Sequence, residues 1–278
     1  MKTPATRLGL AIPLVVVAAA TAAVCAVLFL WPSSAIAAPP ASVGTQLSGA
    51  LPARILNLPL VDENGRPTSL AAYNGKVLMI SDTMTLCQET CPMDTADLVQ
   101  TAREADAAGQ GDRVEFLTIT IDPTRDTPAQ LAAYRQLYQP VPANWSALTG
   151  SAANIAALWK YFGVDIEKVA EGSPPSVNWR TGQPLTYDLD HSDEIFFVDG
   201  QGDERFIIDG MGYIAPGTPV PAKMKSYLDA QGQQNLAAPQ SEDWTVPQGL
   251  QTLSWLLQQS ITPSGGSGTG TGTGASGS

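Results

Sequence analysis

Cys87 and Cys91 stand in the run Cys87-Gln88-Glu89-Thr90-Cys91-Pro92, and the single histidine of the chain, His191, follows far downstream. Two thiolates and one imidazole suit one soft transition metal, copper above all. The same two thiols could instead cycle between dithiol and disulfide. The C-x3-C spacing serves either chemistry, so what matters is whether the three side chains meet. Zinc fits less well: a closed structural site takes four protein ligands, and no hydrolytic apparatus surrounds these three.

The elements around the cysteines place them. Val77-Leu78-Met79-Ile80 is a short apolar run of the kind buried in a sheet centre. The cysteine motif follows it, and Pro92 opens a helix in which Met93, Ala96, Val99 and Ala102 recur at helical spacing to about Ala108. Both sulfurs would then lie near a helix N-terminus, whose free N–H groups stabilise thiolate and lower cysteine pKa values. His191 precedes the strand Glu194 to Val198, which would hold it near the sheet end, and Asp190 is the candidate to orient it from behind.

The remaining pattern alternates strands and helices. Ile55 to Val61 reads as a strand, Glu63-Asn64-Gly65-Arg66 as a hairpin turn, and Pro67 to Leu70 as its return. Val114 to Ile121 is a second central strand, and Thr127-Pro128-Ala129-Gln130 matches a capping box opening a helix to about Tyr138. Trp145 to Leu148 is a strand and Ser151 to Tyr161 a helix, followed by a Gly/Pro-rich insertion, Glu171 to Pro184. A late hairpin pairs Glu194–Val198 with Glu204–Ile208, and a helix follows with Val220, Met224, Tyr227 and Leu228 on one face. This is an α/β class with a mixed central sheet flanked by helices. Leu250, Leu253, Trp255, Leu256 and Leu257 mark a short amphipathic helix expected to pack on the domain.

Composition sets the compartment. Leu8 to Leu30 carries no charge and follows Lys2 and Arg7; at ~1.5 Å per residue it spans roughly 35 Å, enough for one membrane crossing. The basic flank favours a cytoplasmic N-terminus and an exported remainder. Ala35-Ile36-Ala37 offers a signal-cleavage site, but the long apolar run favours a retained anchor with Cys25 buried inside it. Outside the cytoplasm a close Cys pair can be oxidised, reduced or metallated. Without Lys2 and Arg7, 13 basic residues face 26 acidic ones, a balance that excludes nucleic acid as a partner.

With these motifs in order, the chain resembles the Sco/SenC family of membrane-anchored, thioredoxin-like copper proteins that assist cytochrome c oxidase assembly. The resemblance runs from about Leu51 to Leu228. It rests on Gly75-Lys76, Cys87 to Pro92, Thr120-Ile121-Asp122-Pro123-Thr124-Arg125-Asp126-Thr127-Pro128, Leu148-Thr149-Gly150-Ser151, Leu158 to Val164, and Asp190-His191-Ser192. It implies a thioredoxin-like fold with an N-terminal transmembrane anchor, and Cys87, Cys91 and His191 as ligands for Cu(I) or Cu(II). It also implies a copper donor protein upstream and delivery to the binuclear copper site of cytochrome c oxidase subunit II, outside the cell membrane. There are two departures from the family pattern: Gln88-Glu89 replaces Pro-Asp, and Met84 stands where an aromatic is usual, either as packing or as a weak thioether donor.

The expected division is an anchor (or signal peptide) at 1–31, a tether at 32–50, the domain at 51–232, an extension with a short helix at 233–263 and a disordered Gly/Ser/Thr tail at 264–278. The leading function is a copper metallochaperone rather than a classical enzyme. The alternative is a thiol–disulfide oxidoreductase working through Cys87 and Cys91, for which His191 would be dispensable. A peroxidase-like activity lacks a visible motif, and an assembly scaffold would leave the ligand set unused.

Overall fold

The computed structural model describes residues 35–215, 218–237 and 244–263. In chain order the strands are β1 Thr45–Ala50, β2 Leu60–Asp62, β3 Pro67–Thr68, β4 Val77–Thr83, β5 Val114–Thr120, β6 Trp145–Gly150, β7 Ile166–Val169, β8 Asp188–His191, β9 Glu194–Val198 and β10 Asp203–Asp209. The helices are α1 Ala53–Leu56, α2 Cys91–Ala107, α3 Pro128–Arg135, α4 Ala152–Phe162, α5 Ala222–Lys225, α6 Ala230–Ala237 and α7 Val246–Leu257. One mixed sheet has the order β1-β10-β9-β4-β5-β6-β2-β3, and β7-β8 form a separate hairpin.

β4 pairs parallel to β5 and antiparallel to β9, and β9 pairs antiparallel to β10. With α2 crossing from β4 to β5, this is the thioredoxin-like core, extended at both edges. Alternation along β4 divides the interior between two faces. On one, Val77 and Met79 join Phe116, Phe197, Val99 and Leu253. On the other, Leu78 and Ile80 join Leu117, Phe196, Leu158 and Trp159. A central strand buried on both faces carries its chain end, with the cysteine motif, to the rim of the sheet.

Three sequence expectations change. Ile55 to Val61 is not one strand: α1 takes Ile55 and Leu56, returning both N–H groups to Pro52 O, and Pro59 separates it from β2. Residues 45–50, expected in the tether, form β1 on the free edge of β10. The capping box is half made: Thr127 accepts from Gln130 N, but the Gln130 side chain donates to Thr85 Oγ1 instead of reaching back.

The extension packs as expected. Leu250 and Leu253 of α7 are buried against α2, and Gln258 exchanges two hydrogen bonds with the backbone of Ile36. α2 therefore has the sheet on one side and α7 on the other, so Asp94, Asp97 and Thr101, polar residues on its outward face, are buried too. Among the described residues no helix is long and apolar enough to cross a membrane. The expected span Leu8 to Leu30, Cys25 and the 264–278 tail lie outside the described residues.

Candidate metal centre

β4 ends at Thr83, and residues 84–90 carry Cys87 to the first turn of α2, where Cys91 sits. Thr90, the N-cap, offers no side-chain bond to the helix. The Cys87 sulfur takes that place, accepting from Thr90 N at 3.5 Å and Cys91 N at 3.4 Å. Both thiols are free and buried. β8 brings His191 across, with Nε2 3.6 Å from Cys91 Sγ. All three sequence-predicted ligands thus converge at one end of the sheet.

The histidine is oriented from behind. Its Nδ1 lies 2.7 Å from Asp82 Oδ2 and 2.9 Å from Ser192 O, both acceptors. Nδ1 therefore carries a proton, and Nε2, facing the sulfurs, is the nitrogen left for a metal. Asp82 Oδ1 also accepts from Glu194 N at 3.2 Å, so each oxygen of this buried carboxylate is engaged. Asp190, expected in the orienting role, is exposed. Neighbours along a strand point to opposite sides, so the residue beside His191 in β8 turns away from it.

Charge shapes the site's proton affinity. Burial opposes a charged His191, but the hydrogen bond and charge of Asp82, helped by Asp193 and Cys87, push its pKa up to about 10. The thiols depart from the expected lowering. Cys87 is raised well above its ordinary value by its hydrogen bond to Cys91, then by burial. Cys91 is drawn down by that same bond, yet burial and the carboxylates of Asp193 and Asp94 leave it raised. The helix N–H donors are present; desolvation of two adjacent sulfurs outweighs them. Without metal, the site holds thiols and an imidazolium.

A cleft opens over these groups, lined by Met84, Cys87, Glu89, Asp188, Asp190, His191 and Asp193. Burial, then the carboxylates of Asp229, Asp188, Asp190 and Asp193, raise the Glu89 pKa, so the mouth is strongly acidic and suits a cationic visitor. Met84 is buried, and Arg125 Nη2 lies 3.2 Å from its Sδ. That guanidinium engages the thioether, which supports packing over metal donation. Asp82, His191 and Asp193 also form an oxygen-rich group able to approach a hard cation. That group would require the imidazole to give up its bond to Asp82, whereas two sulfurs and Nε2, once deprotonated, match a soft ion with that bond kept.

The Asp122-Pro123-Thr124-Arg125-Asp126 segment, read only as a motif, holds both halves of the site. Asp126 is fully buried and accepts from Thr85 N at 3.1 Å, from Thr85 Oγ1 and from Thr120 Oγ1 at 2.7 Å, fixing the start of the cysteine loop. Arg125 pairs with Asp122 and donates to Tyr187 O at 2.5 Å, next to β8.

A sequence profile described as SCO1/SenC matches residues 57–229. The chain belongs to the SCO1/SenC family. Relatives include a mitochondrial SCO2 homolog of Bos taurus, 31% identical over 51% of this chain and 49% of its own length. A candidate copper-binding protein of Stutzerimonas stutzeri is 29% identical over 42% of this chain and 55% of its own. The chain spans about half the length of the curated relatives it matches. Solved SCO1/SenC structures that it resembles include copper-bound ScoI of Bradyrhizobium japonicum, at 25% identity, 67% and 99% coverage and a TM-score of 0.45. Another is a family lipoprotein of Bacillus anthracis, at 23% identity, 66% and 95% coverage and a TM-score of 0.48.

Proposed function

We propose that this protein is a copper metallochaperone that carries one copper on Cys87, Cys91 and His191. The observation that carries the reading is His191 Nε2 at 3.6 Å from Cys91 Sγ, with Nδ1 held by Asp82, above a cleft reaching Cys87. Family membership and the copper-binding name of the Stutzerimonas relative support it. In this reading the domain is tethered to the cell membrane by the N-terminal segment, on the extracytoplasmic side. It receives copper from a donor protein and passes it to the binuclear site of cytochrome c oxidase subunit II.

Binding exchanges protons for metal: the thiols and His191 must each release one, so the cargo is taken up as the site deprotonates. The oxidoreductase alternative relies on a thiolate attacking a disulfide. Raised thiol pKa values work against it, because little thiolate is present at neutral pH.

The test is Cu(I) binding by the reduced chain, parent against His191→Ala, with the Cu(II) form examined for thiolate charge-transfer absorption. The expected result is one copper per chain and a weakened or spectrally altered site in the variant. Tight binding indifferent to His191→Ala would remove the histidine from the ligand set. No binding, with readily cycling thiols, would leave the oxidoreductase. Copper transfer to a soluble subunit II domain, abolished in Cys87→Ser, tests delivery.

A further inference from the structure

The loop from Thr85 to Glu89 is short and irregular, yet its backbone carbonyls are taken by donors from distant segments. Thr85 O accepts from Trp179 Nε1 at 2.7 Å, and Leu86 O accepts from the Tyr227 hydroxyl at 3.2 Å. Gln88 O accepts from Asp229 N at 3.1 Å, and Glu89 O from Asn235 Nδ2 at 3.5 Å. The Ser176 hydroxyl reaches Gln88 Oε1 at 2.9 Å, so the 171–184 insertion grips a side chain as well.

α6 is built onto this loop. Asp229, whose N–H is tied to Gln88 O, accepts from Gly232 N through its carboxylate at 2.7 Å and so caps the helix. Gly232 lies inside α6, where glycine is a poorer helix former than alanine. Contact explains it: a Cβ there would fall 2.1 Å from Gln88 O and 3.0 Å from Leu228 Cδ2. The helix can press against the cysteine loop only because this residue lacks a side chain.

We infer that Tyr227 to Asn235, together with Trp179, form a clamp that fixes the 85–90 backbone in its metal-ready shape. These are positioning residues, acting through the loop on Cys87 and Cys91. Ordering a free residue costs backbone entropy, so a loop ordered before binding loses less affinity when the sulfurs are drawn to a metal. The inference rests on the reading of Cys87, Cys91 and His191 as ligands, and it gives the insertion and the start of the C-terminal extension a common role.

The experiment compares the full chain with Gly232→Ala and with the milder Tyr227→Phe, which removes one hydroxyl. Three readouts are taken: Cu(I) affinity by competition with a chromophoric chelator, amide exchange of residues 85–91, and the reduction potential of the Cys87–Cys91 pair. In Gly232→Ala, affinity should fall about tenfold, the loop amides should exchange faster while those of β5 and β9 do not, and the potential should shift. Tyr227→Phe should move each readout the same way by less. Unchanged affinity and potential despite faster loop exchange would overturn the clamp, as would unchanged exchange. If the parent itself takes up no copper, the metal-site reading fails separately, and exchange and potential alone decide the clamp.

Discussion

Asp126 and Asp97 are both buried without measurable exposure, but their surroundings differ completely. Asp126 receives one N–H and two hydroxyls, and burial, opposed by those donors, raises its pKa only to about 6. Among the described residues neither oxygen of Asp97 has a partner, and burial alone pushes its pKa up to about 8. The first carboxylate belongs to the scaffold that builds the candidate metal centre. The second lies on a helix face that would meet water if α7 and Trp244 did not cover it. A buried carboxyl group is tolerated in either place, but of the two only the one beside the metal centre is matched to donors.

Breaking the matched carboxylate should have the largest effect. Asp126→Ala strands the Thr85 N–H in the interior and frees the start of the cysteine loop. A loss of about 3 kcal/mol in urea unfolding is expected, with weakened copper binding. Stability within 0.5 kcal/mol of the parent, judged against ordinary surface changes, would show that the network is dispensable.

Asp82→Asn comes next and addresses the metal centre directly. Asp82 is the main reason that the His191 pKa stands at about 10, so copper must displace an imidazolium proton at every pH below that value. Affinity should therefore rise with pH up to about 10, by as much as tenfold per unit for this proton, or about 1.4 kcal/mol. With asparagine the imidazole is neutral by pH 8, and calorimetry in buffers of different ionisation heat should count about one proton fewer released per Cu(I). An unchanged proton count would mean that Asp82 does not govern the histidine.

The contrast also explains what the sequence reveals. Cys87, Cys91 and Pro92 were legible because strand, loop and helix entry are local patterns, and His191 because it precedes a strand paired to β4. Asp82 was not. It stands near the end of β4 after Ser81, and it meets His191 only because β9 pairs with β4 in the register Ser81 to Ile195. Such long-range register leaves no local mark. Choosing Asp190 by adjacency ignored strand alternation. Trp179 was hidden by a Gly/Pro-rich setting that reads as loop, and β1 by small polar residues that pair through backbone alone. The polar face of α2 shows the converse: nothing in the residues Asp94, Asp97 and Thr101 marks them as buried, and they are so because the extension covers them.

That covered face supplies the sharpest test of the comparison. An aspartate has an unfolded pKa of about 3.9, and Asp97 is raised to about 8 when folded. Below the lower value both states are protonated, and the residue contributes no pH dependence. Between the two values the unfolded chain has lost its proton while the folded one keeps it. The unfolded state therefore binds fewer protons, and stability falls as pH rises through that window. Asp97→Asn removes the titration without changing shape. It should raise stability at pH 8, by at most about 5 kcal/mol, the amount that linkage assigns to such a shift, and by almost nothing at pH 3.5, read from urea midpoints at each pH. Asp126→Asn offers no such gain, because an amide N–H₂ would face donors that need an acceptor. A stabilisation by Asp97→Asn equal at both pH values would mean that hydrogen bonding or packing, rather than a desolvated charge, separates the two sites.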